Sequence, residues 1–199
     1  EYPYKERAAV KKIVMDLSTL FRSVAKTMFP EAKIVADKFH VIRVVINSLE
    51  NVRKRIQKEF HATKRKWFKR SRYLLLKPEY KLTDEDKIEL ARMLNSSYDL
   101  EKAYVLKERF YEVFRKQTRT EAKKELGNWL LLAADLSLPE FRHCITTFSN
   151  WKTEIANIIG ERVSNGFIEG SNNKIKVLKR ISYGVQNFDR FRNRILYLQ

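Results

Sequence analysis

Three acids and one histidine carry the chemistry this sequence could perform: Asp16 in "VMDLS", Asp37 and His40 in "ADKFH", and Glu169 in "SNGFIEGSNNKIKVLKR". Each aspartate closes a short Val/Ile-rich run, and Glu169 stands between Gly166 and Gly170 ahead of Asn172, Asn173, Lys174, Lys176, Lys179 and Arg180. Carboxylates brought together from distant parts of a chain are the parts of a two-metal phosphoryl-transfer site. Hard Mg²⁺ or Mn²⁺ takes oxygen ligands, and two such ions activate an attacking water or hydroxyl and stabilise the departing oxygen. Taken singly, each acid has a plainer reading. Asp16 and Asp37 could start a turn or cap the next helix, and Glu169 could complement a helix dipole. His40 sits in a D-x-x-H arrangement, with only His61 and His143 elsewhere, so zinc is a poor fit and a hydrogen bond within the site, or a structural role, fits better. P-loop, G-x-G-x-x-G, G-x-S-x-G and Ser-His-Asp order are all absent from these residues.

The elements that must position these groups follow from periodicity. The runs "VKKIVMD" and "AKIVAD" read as buried strands, and between them Leu17, Leu20, Phe21, Val24, Ala25 and Met28 mark one apolar helical stripe with Ser18 as N-cap. Strand, helix, strand at this length predicts a βαβ unit with parallel strands and a right-handed crossover, both aspartates lying at the carboxyl edge. From His40 to about Lys77 the pattern predicts one or two basic helices, with Val41, Val44, Val45, Ser48, Leu49, Val52 and Ile56 as the inner face. Phe60, Trp67, Phe68 and Tyr73, interleaved with cations, read as core rather than base-stacking groups. Thr83 with Asp86 opens a further helix in the manner of a capping box, and helices continue to Gly160, with no strand expected in 41–160. In the last segment Ile168, Ser171, Ile175, Leu178 and Ser182 form one stripe, and Glu169, Asn172, Asn173, Lys176 and Arg180 share the opposite, polar face. A final helix starts at Asn187 and buries Phe188, Phe191, Ile195 and Leu198, leaving Arg190, Arg192 and Arg194 polar.

The bulk composition limits the partners. With 199 residues, 41 Lys and Arg against 24 acids and a formal charge of +17, the chain carries the footprint of a phosphate-rich partner, nucleic acid first. A single cysteine, Cys144, excludes an internal disulfide and suits a reducing cytoplasm, where it reads as a small apolar filler. No run approaches the roughly 20 apolar residues of a membrane span.

"VMDLSTLFRSVAKTMFPEAKIVADKFHVIR", followed far downstream by "SNGFIEGSNNKIKVLKRISYGVQNFDRFRNRIL", resembles the DDE transposases of bacterial insertion sequences, specifically the ISL-three-type family. The resemblance implies an α+β, mostly helical chain: a partial ribonuclease H-like core built from the βαβ unit and the C-terminal helices, with a large all-helical insertion. The expected division is 1–40 core, 41–160 insertion and 161–199 core helices carrying the glutamate. It further implies that Asp16 is the second and Glu169 the third of three metal-binding acids, supported by Asp37, His40, Asn172 and Asn173. Two Mg²⁺ or Mn²⁺ ions are expected in the complete site. Lys174, Lys176, Lys179, Arg180 and Arg192 are the expected contacts to DNA. The family's first aspartate has no counterpart ahead of Asp16, so the chain is expected to be the C-terminal part of a transposase. The implied partners are double-stranded DNA at insertion-sequence ends and target sites and further copies of the chain, in a bacterial, nucleoid-associated setting. The alternative from another class is a non-catalytic basic DNA-binding module.

Overall fold

The structure, a computed structural model, describes residues 3–161 and 166–197, and within the latter the side chains of residues 167–169 lie outside the description. Two compact units divide the chain, Glu1–Arg162 and Val163–Gln199.

The first unit begins with the short helix α1 (Tyr4–Ala9) and strand β1 (Lys12–Met15), followed by α2 (Thr19–Met28) and β2 (Lys33–Ala36). The strands pair in parallel, Lys12 opposite Lys33 through Met15 opposite Ala36, as the βαβ pattern predicts. Ser18 caps α2, its side chain accepting from the Phe21 N–H at 3.3 Å. Two expectations change. β2 is almost fully buried, but β1 has only Met15 buried, and Leu20, Phe21 and Val24 on the apolar stripe of α2 are exposed. A two-stranded ribbon is about 5 Å wide between strand axes and cannot cover a helix about 10 Å across. Among the described strands β1 has one neighbour, whereas β2 is covered on its far side, where the Asn157 side-chain amide donates to the Ile34 carbonyl at 2.8 Å.

Helix α3 (Lys38–Ile56) leaves β2 directly and runs through the middle of the unit. Of the predicted inner face, Val41, Val45, Ser48, Leu49, Val52 and Ile56 are buried, while Val44 is half-buried at the edge of that face. Beyond it the basic stretch breaks into α4 (Ala62–Arg70) and α5 (Arg72–Leu76), rather than one or two longer helices. Phe68 is fully buried and Phe60 and Trp67 pack beside it, but Tyr73 is exposed. Then come α6 (Asp84–Leu94), α7 (Tyr98–Val113), α8 (Arg119–Asp135), α9 (Arg142–Asn150) and α10 (Lys152–Ala156). Thr83 accepts from the Asp86 N–H, but Asp is too short to reach back, and its carboxylate turns to Tyr73 and Lys77. The full capping box lies at α8, where Thr118 and Glu121 each accept from the other's backbone N–H, a T-x-x-E signal readable in the sequence. Phe110, Trp129 and Phe148 stack at the centre of these helices, with centroids 5.0 to 5.6 Å apart. Cys144 is buried, its thiol pushed up to about 11 by desolvation, as suits an inert filler. One continuous apolar cluster joins Met15, Ile34 and Ala36 of the strands to Trp151 and Ile155 of the helical block.

Glu161 fastens the strands to that block. Its carboxylate, nearly covered, meets Lys12 of β1 at 2.5 Å, Lys33 of β2 at 2.9 Å and Arg119 of α8 at 2.8 Å. The Lys12 and Lys33 ammonium groups hold its pKa down to about 2. A carboxylate depressed in the folded state stabilises it above the unfolded value of about 4.3, and that contribution fades as pH falls towards 2. Glu161→Gln is therefore expected to lower the Tm at pH 7 and to melt with wild type near pH 2. Equal melting at pH 7 would show the cluster to be inert.

The second unit pairs α11 (Gly166–Ile181) with α12 (Phe188–Tyr197). Tyr183 (φ 44°) and Gly184 (φ 85°) make a left-handed turn between them, and Asn187 caps α12 by accepting from the Arg190 N–H at 3.0 Å. Leu178 is buried and Ile175, Phe191 and Ile195 are half-buried, but Phe188, expected inside, is exposed at the first position of its helix. Leu198 lies outside the described residues.

Candidate functional site

Asp16 is the first residue past β1, and continuing the strand register by one step sets it beside Asp37 at the carboxyl edge of the sheet. Asp37 acts as a cap. It is 4% exposed, one carboxylate oxygen accepts from the Phe39 N–H at 3.0 Å, and the other lies 2.9 Å from Nδ1 of His40. A carboxylate at this distance accepts the Nδ1 proton, fixes the ring on α3 and leaves Nε2 as its free nitrogen. Capping and site-building thus coincide in one residue.

Asp16 differs. Its Oδ1 is buried without a hydrogen-bond partner among the described residues, and the residue lines a cavity of about 350 Å³ with Leu17, Ser18, His40, Arg43, Val44 and Asn47. A buried anionic oxygen with no donor is unfavourable by several kcal/mol unless something electropositive reaches it. The chemistry of this oxygen suits a hard divalent cation. Among the described residues no cluster of three His, Cys, Asp or Glu side chains stands ready to hold a metal.

Arg43 and Asn47 were not singled out by the sequence. The signal was available: they follow His40 at i+3 and i+7, on the helix face that His40 already marked. Both are exposed, and Arg43 lies 5.9 Å from the ring of Phe39.

In the second unit, α11 covers the segment where the sequence predicts a helical stripe, and Asn172, Asn173, Lys174, Lys176, Lys179 and Arg180 are all exposed. The Glu169 side chain lies outside the described residues. A Cβ placed on Gly170 would meet nothing within 4 Å, so that turn of the helix is open to approach. Lys176, Lys179 and Arg180 line a cavity of about 470 Å³ together with Ser182, Gly184, Val185 and Phe191. None of the four cations from Lys174 to Arg180 has an ion-pair partner among the described residues, and Arg192 is likewise exposed and unpaired.

A family model of ISL3-type DDE transposases matches residues 1–195. The chain belongs to that transposase family. It is 27% identical to the transposase for insertion sequence element IS1557 of Mycobacterium tuberculosis, over 92% of this chain and 46% of that protein. It is 25% identical to the transposase for IS1001 of Bordetella parapertussis, again over 92% of this chain and 46% of the other. The chain thus spans about half the length of these curated relatives. A Lactococcus lactis protein described as an ATP-dependent protease is 32% identical over 58% of this chain and 35% of that protein. No solved structure matches. No helix among the described residues is long and apolar enough to cross a membrane.

Proposed function

We propose that this transposase chain supplies the second and third metal-binding acids, Asp16 and Glu169, of a site that cuts and rejoins DNA at the ends of an insertion sequence. The reading assigns residues 1–40 and 161–199 to a ribonuclease H-like core and 41–160 to a helical insertion. The observation that carries it is the Asp16 carboxylate oxygen, buried and without a donor beside a cavity shared with His40. Asp16 and Glu169 would hold divalent Mg²⁺ or Mn²⁺, which would supply Lewis acidity at the scissile phosphate. The chain's own groups do the rest. Asp37 holds the His40 ring, whose free Nε2 accepts from a water in the cavity or, on the protonated ring, donates to a phosphate oxygen. Arg43 and Asn47 offer further donors at the same opening. Asn172 and Asn173 share the exposed face of the glutamate helix, while Lys174, Lys176, Lys179, Arg180 and Arg192 neutralise backbone phosphates of duplex DNA.

Mn²⁺ titration of the 199-residue chain by calorimetry and electron paramagnetic resonance tests this. Saturable binding is expected, weakened at least about tenfold by Asp16→Asn and by Glu169→Gln. Binding untouched by either substitution would remove the metal role and leave the basic DNA-binding module as the better reading.

A further inference from the structure

Cations on this chain fall into two groups. Those facing other parts of the first unit are paired: Arg53 and Arg72 with Glu50, Arg55 with Asp99 and Glu140, Lys77 with Asp86, and Lys12, Lys33 and Arg119 with Glu161. Others, interleaved with them in the sequence, have no partner among the described residues. Lys54 stands unpaired between paired Arg53 and Arg55, and Lys58 is unpaired three residues further on. Residues 51–78 hold eleven Lys and Arg against a single acid, Glu59.

Some of these unpaired groups are ordered in space. Arg43, Asn47, Asn51, Lys54 and Lys58 follow one another at steps of four, four, three and four, which keeps them on one face of α3 and its short continuation, and all five are exposed. His40 lies at the head of the same face, where the stripe opens on the Asp16 cavity. At the other end Lys66 and Arg70 occupy the side of α4 opposite buried Phe68, with Arg65 and Lys69 on its flanks, all four exposed and without an ion-pair partner among the described residues. At 1.5 Å per residue, the distance along the helix from His40 to Lys58 is about 27 Å. That is about eight base-pair rises of 3.4 Å along the axis of a duplex. Every side chain on the stripe is a hydrogen-bond donor, and like charges set this close repel one another unless an anion lies over them.

We infer that this stripe is a phosphate track: duplex DNA engaged at the Asp16 cavity lies along α3 for about eight base pairs and is then met by the cations of α4. The inference rests on the DNA-cleaving reading above and adds a set of cations on the first unit to those of α11 on the second. It gives the helical block a task beyond support, that of fixing the direction in which the duplex leaves the cavity.

Fluorescence anisotropy with a labelled 30-base-pair duplex over a salt series tests it in the full 199-residue chain. A track variant carries Lys54→Gln, Lys58→Gln, Lys66→Gln and Lys69→Gln, all at exposed positions. A comparison variant carries the same charge loss at exposed Lys87, Arg92, Lys123 and Lys124 on α6 and α8. With about 0.9 of slope lost per phosphate contact, the track variant is expected to flatten the dependence of log affinity on log salt by about three to four, and the comparison variant by less than about one. Equal flattening in the two variants, or none in the track variant, overturns the track. If the track variant keeps the wild-type slope while Lys174→Gln with Lys176→Gln and Lys179→Gln lowers it, only the track fails. A wild-type chain that binds no duplex overturns both readings.

Discussion

Asp16→Asn is expected to abolish strand cleavage and joining by the complete transposase, by about 10³-fold or more, while the variant chain melts no lower than wild type. Loss of a metal-binding carboxylate removes several kcal/mol of transition-state stabilisation, and each 1.36 kcal/mol is tenfold in rate. The stability half of the expectation follows from geometry. Oδ1 is buried with no hydrogen-bond partner among the described residues, so an isosteric neutral amide breaks no contact that the structure records. Asp37→Asn provides the contrast. Asp37 caps α3 and holds His40, so the same exchange there weakens contacts that exist. Gel-based cleavage assays with scanning calorimetry on the two variants separate the roles. Transposition by Asp16→Asn within tenfold of wild type would remove Asp16 from the site, and a marked drop in its Tm would make the carboxylate structural.

The sequence revealed what is encoded locally. Strand ends, the Ser18 and Asn187 caps and the inner face of α3 all depend on residues within a few positions, and all appear where the pattern put them. The exposure of Leu20, Phe21 and Val24 was not legible, because periodicity specifies which side of a helix is apolar and not how much surface lies opposite. Glu161 escaped notice for a different reason. Its partners Lys12, Lys33 and Arg119 are 149, 128 and 42 positions away, and no local rule connects them. Of the site, the acids and His40 stood out by type and spacing, whereas Arg43 and Asn47 became meaningful only when Asp16 was found across the same cavity. The unpaired state of Lys54 beside paired Arg53 and Arg55 is likewise a tertiary fact, since all three look alike in the chain.

Trp129→Ala tests whether the helical block and the βαβ unit stand or fall together. Trp129 is 2% exposed, its indole N–H donates to the Leu106 carbonyl at 2.8 Å, and it packs against Phe110, Phe141 and Phe148. Truncation removes apolar contact and leaves a cavity among rigid neighbours, at a cost of about 3–5 kcal/mol. For a domain whose whole stability is about 5–15 kcal/mol, that is a large share. The apolar cluster is continuous from Trp129 through Trp151 and Ile155 to Ile34 and Ala36, and Glu161 ties both strands to α8. Denaturant unfolding followed at once by tryptophan emission, which reports the helical block, and by hydrogen exchange of the β1 and β2 amides should therefore show one shared transition. In Trp129→Ala both probes should shift to lower denaturant together, with the slope unchanged. Strand amides that keep their protection while the helices unfold would show two independent cores, and the Asp16 cavity would then owe its shape to α2, α3 and the strands alone.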